Sequence, residues 1–530
     1  MSTGAGTGAT GPGDAAPIRP RTIRTVCLVL VLLPVAVALF ELPRLSGSDT
    51  PAGDFALIEL QVRDIGRYAV FLGPYSRFGW NHPGPALFFL LAPFSRLVGG
   101  ASIGVALGAL AINAGALVGC VLVAFRRAGR GFTLAVTLGL LLLVRGLGVD
   151  ALISAWNPTV TVLPLVLLAL LVWSVAEGDR PMLPLVVFVA SFLVQSHVGT
   201  APIVGALVLW LVVEWALRIR HDPVDTEATT RNRRIAIVSV IVGVVVWALP
   251  LWQQFTTADG NMTRILDFTR ATSTGRYGAG LHAVLNQFTF RPEWATGSRT
   301  GPAPFVADVF GTAPVPWLLI PVGIAVSVAW RRRWTAELRL LALLGTGLLG
   351  CIVATGRIYG LIFTYLVQWT WALAMLTVVT AGWILVRAWL RPLRWVVVPT
   401  AAVLVSLLAI GTAARTFDIE TPLPRESATV QKLTPALLAA VPRAESLRLT
   451  GGTSQLGSRT LYGLGLQAEL HGRELAQPPG DAYKWGAHRV GLHPDREVVV
   501  VTKDTPKADY GGSRRIGSAD GVSLYLRNPE

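Results

Sequence analysis

Charge is scarce in this chain. Of its 530 residues only 15% are Asp, Glu, Lys or Arg, while 52% are hydrophobic; soluble domains carry about a quarter charged residues. Cysteine is scarcer still. Cys27, Cys120 and Cys351 each sit inside an apolar run, which excludes a disulfide framework and any cysteine-based metal-ligand spacing. Neither a G-x-x-x-x-G-K-[ST] loop nor a dinucleotide fingerprint is found, so the usual nucleotide-phosphate cradles are missing. No repeat of 20–50 residues points to a solenoid, and no two-half symmetry of the transporter kind is visible.

What the chain does have is long apolar runs. A bilayer core about 30 Å thick needs about 20 apolar residues per helical crossing. Such runs fall at about 26–40, 102–125, 132–147, 159–176, 182–194, 201–217, 235–252, 313–329, 340–355, 361–385 and 396–411. The stretch 86–98 is too short to cross and carries Pro93 and Arg96, so it reads as a segment at the membrane surface. The formal charge of +15 would suggest a nucleic-acid partner in a soluble chain. Here the arginines cluster at the ends of apolar runs, which is an orientation signal, and nucleic acid is not expected. Arg19, Arg21 and Arg24 precede the first run, and it ends in Glu41-Leu42-Pro43-Arg44 with no small-residue cleavage site. It therefore reads as a span and not a signal peptide. With eleven crossings, five arginine clusters (19–24, 126–130, 218–234, 331–333 and 387–394) fall on one side. Counting 86–98 as a crossing would put four of them on the other.

The fold expected is an α-helical polytopic membrane protein of the cell membrane, with a cytoplasmic N-terminus and a small extracytoplasmic α/β domain. Residues 1–18, rich in Gly, Ala, Thr, Ser and Pro, should be disordered. Residues 19–411 form the membrane domain, with external loops at 41–101 and 253–311, and 412–530 form the external domain. In that tail 436–440 and 466–470 look helical. VVVVT at 498–502 and VSLYL at 522–526 look like strands, by β-branched content and flanking Gly and Asp.

The loop after the first span holds the densest chemistry: Asp54, Glu59 and Asp64, the arginines 63, 67 and 77, and an aromatic run with Tyr75, Trp80, Asn81 and His82-Pro83-Gly84-Pro85. As a helix, 55–65 places Phe55, Ile58, Val62 and Ile65 on one face, the pattern of a helix lying on the bilayer. Each acid also has a plain structural reading: Asp54 as N-cap, Glu59 paired with Arg63 one turn on, Asp64 solvated. A carboxylate at the membrane surface beside a lipid phosphate can take a proton from an acceptor hydroxyl. Outer span ends add His197, Arg357 and Tyr359, with Arg145 and Asp150. Arginines there either hold a phosphate in a fork or snorkel, and His197 reads equally as a packing residue. Glu214 is expected to pair with Arg218. Asn261-Met262-Thr263 matches a glycosylation sequon, a bare match without weight.

An acid shortly after the first span, a short amphipathic helix, then Trp80-Asn81-His82-Pro83-Gly84-Pro85 leading into an apolar run and Arg96, resembles the GT-C glycosyltransferases. The resemblance is to the branch with protein mannosyltransferases and aminoarabinose transferases, and GPYSRFGWNHPGP is similar to actinobacterial cell-envelope members, among them arabinofuranosyl- and mannosyltransferases. Two departures stand out. The acids are not adjacent, and the motif is His-Pro-Gly-Pro in place of His-Pro-Pro. The resemblance implies inverting transfer of a sugar from a polyprenyl-phosphate donor to a glycan, lipid or protein acceptor outside the cytoplasm. It implies Asp54 as base, with Glu59 or Asp64 as second acid. It also implies Arg357 and Arg77 on the donor phosphate, and Tyr75, Trp80, Asn81, His82, His197 and Tyr359 about the substrates. Some relatives use a divalent cation, for which Asp54, Glu59 and His82 are the available set, although their spacing does not specify one. The readings outside this class are a transporter or flippase of a lipid-linked envelope precursor, and a scaffold whose tail binds glycan.

Overall fold

The computed structural model of the chain describes residues 20–46, 50–219, 226–272, 275–298, 314–491 and 493–527; the segment 1–18, expected to be disordered, lies outside them. α1 (Pro20–Ser46) leads to a short α2 (Gly53–Asp64), a loop and α3 (Ala86–Leu97). α4 (Ile103–Leu147) is broken at Gly129, where φ 71° and ψ −160° depart from helix. α5 (Asn157–Val160), α6 (Val162–Ala176), α7 (Leu183–Ser196), α8 (Ala201–Ile219) and α9 (Thr226–Thr256) follow. The long loop after α9 carries α10 (Asn261–Ala271), α11 (Tyr277–Asn286) and α12 (Glu293–Thr296), and the bundle resumes with α13 (Leu319–Arg331), α14 (Thr335–Gly356), α15 (Gln368–Trp389) and α16 (Arg394–Thr416).

Among the described residues, eight helical stretches are long and apolar enough to cross a membrane. The Gly129 break turns α4 into two of the expected crossings. The shorter apolar stretches Arg180–Ser196 and Leu319–Arg331 stand where the fifth and eighth were expected. α3, with 12 residues, remains a short helix. The α5–α6 stretch is the centre of the bundle, with 94% of its apolar window buried. It is apolar on all sides because it meets protein on all sides.

The arginine clusters gather on one face. Arg24 lies over the Phe125 ring at 5.7 Å. Arg126 pairs with Asp179 at 2.8 Å, Arg127 donates to the Glu177 carbonyl at 2.7 Å, and Arg387 pairs with Glu337. Glu214 pairs with Arg339 of α14 at 2.8 Å; the side chain of Arg218, its expected partner, lies outside those described. On the opposite face Arg44 donates to the Phe417 carbonyl at 2.8 Å, and Asp150 accepts from the Glu420 N–H at 3.1 Å.

That opposite face carries the C-terminal domain. α17 (Pro424–Ala440), α18 (Gln455–Leu470) and α19 (Ala482–Trp485) pack with β1 (Ser446–Gly451), β2 (Glu474–Leu475), β3 (Arg496–Val501), β4 (Arg514–Ala519) and β5 (Val522–Arg527). The sheet order is β2-β1-β3-β5-β4. β1 runs parallel to β2 and β3, with Leu449 opposite Val498, and β5 is antiparallel to β3 and β4. The run Val498 to Val501 is buried throughout, as a central strand covered on both faces requires. The strands and helical pieces expected in the tail fall on β3, β5, α17 and α18, with Thr502 just past the end of β3, while β1, β2 and β4 were not foreseen. The boundary at 412 falls inside α16.

α2 departs from expectation. Ile58, Val62 and Ile65 do join the bundle core, but Ala56, Leu57 and Leu60 join the core of the C-terminal domain. The helix is clamped between two bodies, and both of its apolar stripes are covered by protein. Gly53 begins it with φ +58°, and a Cβ there would stand 3.0 Å from Leu423 and 3.1 Å from Arg459. This position therefore needs glycine for both conformation and room.

Candidate functional site

The loop between α2 and α3 folds into a hairpin. Gly73 N–H donates to the His82 carbonyl (2.9 Å), His82 N–H to the Pro74 carbonyl (2.8 Å) and Ser76 N–H to the Trp80 carbonyl (2.7 Å). The tip turns at Gly79, φ +86°. The second strand is pinned twice. Asn81 N–H donates to Asn261 Oδ1 (2.9 Å) and Asn261 Nδ2 returns to the Asn81 carbonyl (2.8 Å). Asn261 is 3% exposed, so this pairing occupies the side chain that the sequon match would offer to a glycan. At the other end Gly84 presses on Gln195; a Cβ on it would lie 2.2 Å from Oε1. Close backbone approach is therefore what the glycine in His-Pro-Gly-Pro provides.

The hairpin delivers Tyr75 to Asp54. Tyr75 donates its hydroxyl to Asp54 Oδ1 at 2.7 Å, and Trp156 donates its indole N–H to Oδ2 at 2.9 Å. Asp54 is thus no N-cap; α2 begins after Ala52 with no side-chain cap. Both donors are neutral, and among the described residues no ion pair engages Asp54. Each carboxylate oxygen keeps a second lone pair. Burial pushes the Tyr75 phenol above its ordinary range and the Asp54 charge pushes it further, so Tyr75 stays protonated and donates to Asp54.

Asp54 and Tyr75 line a cavity together with Gln61, Asn81, Tyr483 and Lys484. The last two belong to α19, so the C-terminal domain supplies one wall. Lys484 pairs with Asp481 at 2.8 Å. Burial lowers the Lys484 pKa, but Asp481 and the Tyr462 and Tyr483 phenols outweigh it and the value is raised; the ammonium stays charged. The Tyr462 ring meets that of Tyr75 edge-on at 6.2 Å. Asn81 Nδ2 donates to the Tyr483 carbonyl at 2.8 Å, which ties the hairpin to α19.

A second aromatic path leads away from Asp54. Trp156 meets Tyr365 at 4.5 Å, Tyr365 stacks on Phe363 at 5.5 Å, and the Arg77 guanidinium sits over the Phe363 and Phe78 rings at 5.4 and 4.9 Å. Burial pushes the Tyr365 phenol up, and Arg77, Asp54 and Arg459 all act on it electrostatically. Arg77 has no carboxylate partner among the described residues. Arg357 and Tyr359 are exposed in a loop held by Arg276, whose guanidinium donates to the Ile358 and Gly360 carbonyls. Tyr359 meets Phe78 edge-on at 5.7 Å.

The other expected residues lie apart. Glu59 is 1% exposed and paired with Arg63 at 2.8 Å, the helical pairing foreseen, and lines a different cavity. Asp64 is not solvated; Arg489 reaches it through two nitrogens at 2.7 and 2.8 Å and it is 3% exposed. His82 and His197 are buried with ring centroids 4.4 Å apart. Their Nδ1 atoms accept the N–H groups of Val198 and Gly199 at 3.1 Å. Burial, and for His82 the neighbouring His197, hold both far below the ordinary imidazole range, so the pair is neutral. The Trp80 ring meets His82 edge-on at 5.5 Å. Asp54, Glu59 and His82 therefore form no common site, and among the described residues no group of three His, Cys, Asp or Glu side chains is placed to hold a metal ion.

The structure thus brings Asp54, Tyr75 and Asn81 to one cavity, with Arg77 linked to it through rings. Trp156, Tyr365, Tyr462, Tyr483 and Lys484 had not been singled out. Trp156-Asn157-Pro158 stands at an outer span end as His197 does, and echoes Trp80-Asn81-His82-Pro83; that signal was available. Nothing local marked the tail residues.

No family model and no curated protein sequence matches the chain. Among solved structures, the fold matches the crystal structure of ArnT from Cupriavidus metallidurans bound to undecaprenyl phosphate, at TM-score 0.52 and 15% identity. It matches the same protein's apo state at TM-score 0.52 and 14% identity. Both matches cover 94% of this chain and 97% of the other. The likeness extends across membrane bundle and C-terminal domain alike, and the chain has the fold of these ArnT structures.

Proposed function

We propose that this protein is a polyprenyl-phosphate-dependent membrane glycosyltransferase that moves a hexose or pentose, with inversion, onto a hydroxyl of a cell-envelope acceptor on the extracytoplasmic side. The undecaprenyl phosphate held by the ArnT structure of the same fold supports this donor class. The observation that carries the reading is the Asp54 carboxylate, held by two neutral donors and facing a cavity that also holds the Lys484 ammonium.

In this reading Asp54 takes the proton of the acceptor hydroxyl as that oxygen attacks the anomeric carbon. The bond from that carbon to the phosphate oxygen breaks, its electron pair stays on the phosphate, and the sugar centre inverts. Tyr75 and Trp156 fix the direction of the carboxylate, and as neutral donors they do not compete with the proton it receives. Lys484 and Arg77 are the cations disposed to offset charge on the departing phosphate, with Arg357 at the exposed end of the path. The arginine-rich face is then cytoplasmic by the positive-inside rule, and Asp54 with the C-terminal domain lies outside.

The test is transfer from a radiolabelled polyprenyl-phosphate sugar by the full-length protein in liposomes. A positioned general base contributes about 10²–10⁴-fold, and Asp54→Asn should lose activity on that scale while keeping its melting temperature. Full activity in that variant would remove Asp54 from the role. Mass spectrometry of lipids that co-purify with the wild type would identify the donor.

A further inference from the structure

α2 divides two cavities. One face gives Asp54 to the cavity described above. The other gives Phe55 and Glu59 to a second cavity, closed by Leu42 and Leu45 of α1, by Ser102 and Ala106 at the start of α4, and by Thr421 and Pro422 beyond α16. Its walls are chiefly apolar, and its helices meet it with the ends nearest the C-terminal domain.

The polar atoms in this second cavity are unevenly served. Three donors converge on Glu59 Oε1: Arg63 Nε at 2.9 Å, Arg63 Nη2 at 2.8 Å and Ser102 Oγ at 3.0 Å. Glu59 Oε2 is buried and has no hydrogen-bond partner. A buried carboxylate oxygen left without a donor is costly, more so than a neutral group. Ser102 has spent its one hydrogen on Oε1, so it can only accept from anything else. At this end of the cavity Glu59 Oε2 and Ser102 Oγ are therefore acceptors waiting for donors, with the Thr421 hydroxyl on the wall beside Pro422. Arg63 already balances the carboxylate charge, so an ammonium group would bring an uncompensated charge into an apolar site. A phosphate would bring acceptors to acceptors. A neutral hydroxyl answers both conditions.

We propose that this second cavity binds a lipid whose uncharged head group carries free hydroxyls, as a glycerol or sugar head does. Its hydroxyl donates to Glu59 Oε2, and its chain lies against Leu42, Leu45 and Ala106. The site stands whether or not Asp54 is a catalytic base, and its chemistry is opposite to that required by an anionic polyprenyl phosphate. Its wall reaches the first cavity through Phe55, whose ring lies 6.4 Å from that of Trp156, the indole that holds Asp54.

Photolabelling of the full-length protein in phosphatidylcholine nanodiscs tests this. Three probes share one diazirine-bearing acyl chain: a diacylglycerol, its methyl ether and the matching phosphatidic acid. The diacylglycerol should label peptides containing residues 42–45 or 102–106 about tenfold more than either other probe, the worth of one hydrogen bond to a charged acceptor. Glu59→Gln puts an amide donor where the acceptor stood and should erase that preference. Ala106→Phe fills the cavity without touching Glu59 and should abolish labelling there. Equal labelling of the wild type by all three probes would overturn the proposal and leave an apolar crevice whose carboxylate is served by water. So would diacylglycerol labelling that survives Ala106→Phe.

Discussion

Asp54 is bound by two donors, Tyr75 from its own loop and Trp156 from far along the chain. Tyr75→Phe removes one hydrogen bond to a charged group and leaves the ring in place; Trp156→Phe removes the other and keeps an aromatic ring. Each should lower kcat by on the order of tenfold or more with little change in KM, measured in the liposome assay. The neutral histidine pair makes a separate prediction. Both imidazoles are depressed in the fold, whereas an unfolded chain protonates its histidines near pH 6.5. As pH falls below that value the unfolded state takes up protons that the folded state refuses, so stability is full above about 6.5 and declines below it. Scanning fluorimetry between pH 8 and 5 should show this fall, at up to about 1.4 kcal/mol per pH unit per histidine, and His82→Asn should make it shallower. The carboxylate was legible in the sequence because it stands in an unexpectedly polar loop. Its partners were not, since hydrogen bonds across 102 positions leave no periodic trace.

Among the elements, α2 is the least foreseeable. Its i, i+3, i+4 stripe is local and was read correctly as apolar, but the sequence held no sign that the far stripe, Ala56, Leu57 and Leu60, is covered too. The cover comes from the C-terminal domain and is fastened by charge. Arg489, 2% exposed, spans Asp64 and Glu469, and His488 stacks on Tyr68 with ring centroids 3.6 Å apart. Removing one partner of a buried ion pair costs about 3–5 kcal/mol, because the other charge stays buried and alone. Arg489→Met should therefore loosen the domain from α2, seen as faster proteolysis between 417 and 424, with transfer activity lost in parallel. Adding Asp64→Asn removes the stranded charge and should recover part of the protection. The strands legible beforehand, around 498 and 522, are those with dense β-branched or alternating apolar residues; β1 and β4, interrupted by Arg448 and by Arg514 with Arg515, lack that density.

At the scale of the molecule, the order of spans was legible because each apolar run carries its own signal and each arginine cluster votes on the side. The structure collects those clusters on one face through pairs such as Arg126 with Asp179 and Arg387 with Glu337. Which face is cytoplasmic can be measured directly. The three native cysteines are buried, so single cysteines introduced at the exposed positions Arg180 and Lys503 will report alone. In intact cells an impermeant maleimide should label Lys503→Cys and spare Arg180→Cys, with both labelled after lysis; the reverse pattern would invert the orientation. The cavity beside Asp54 has a wall made by Tyr483 and Lys484, residues that leave the ribosome hundreds of codons after the aspartate they face. A nascent chain already threaded through the bilayer thus owns its carboxylate but no finished chamber around it. If the proposed transfer uses this chamber, no turnover can precede completion of the chain.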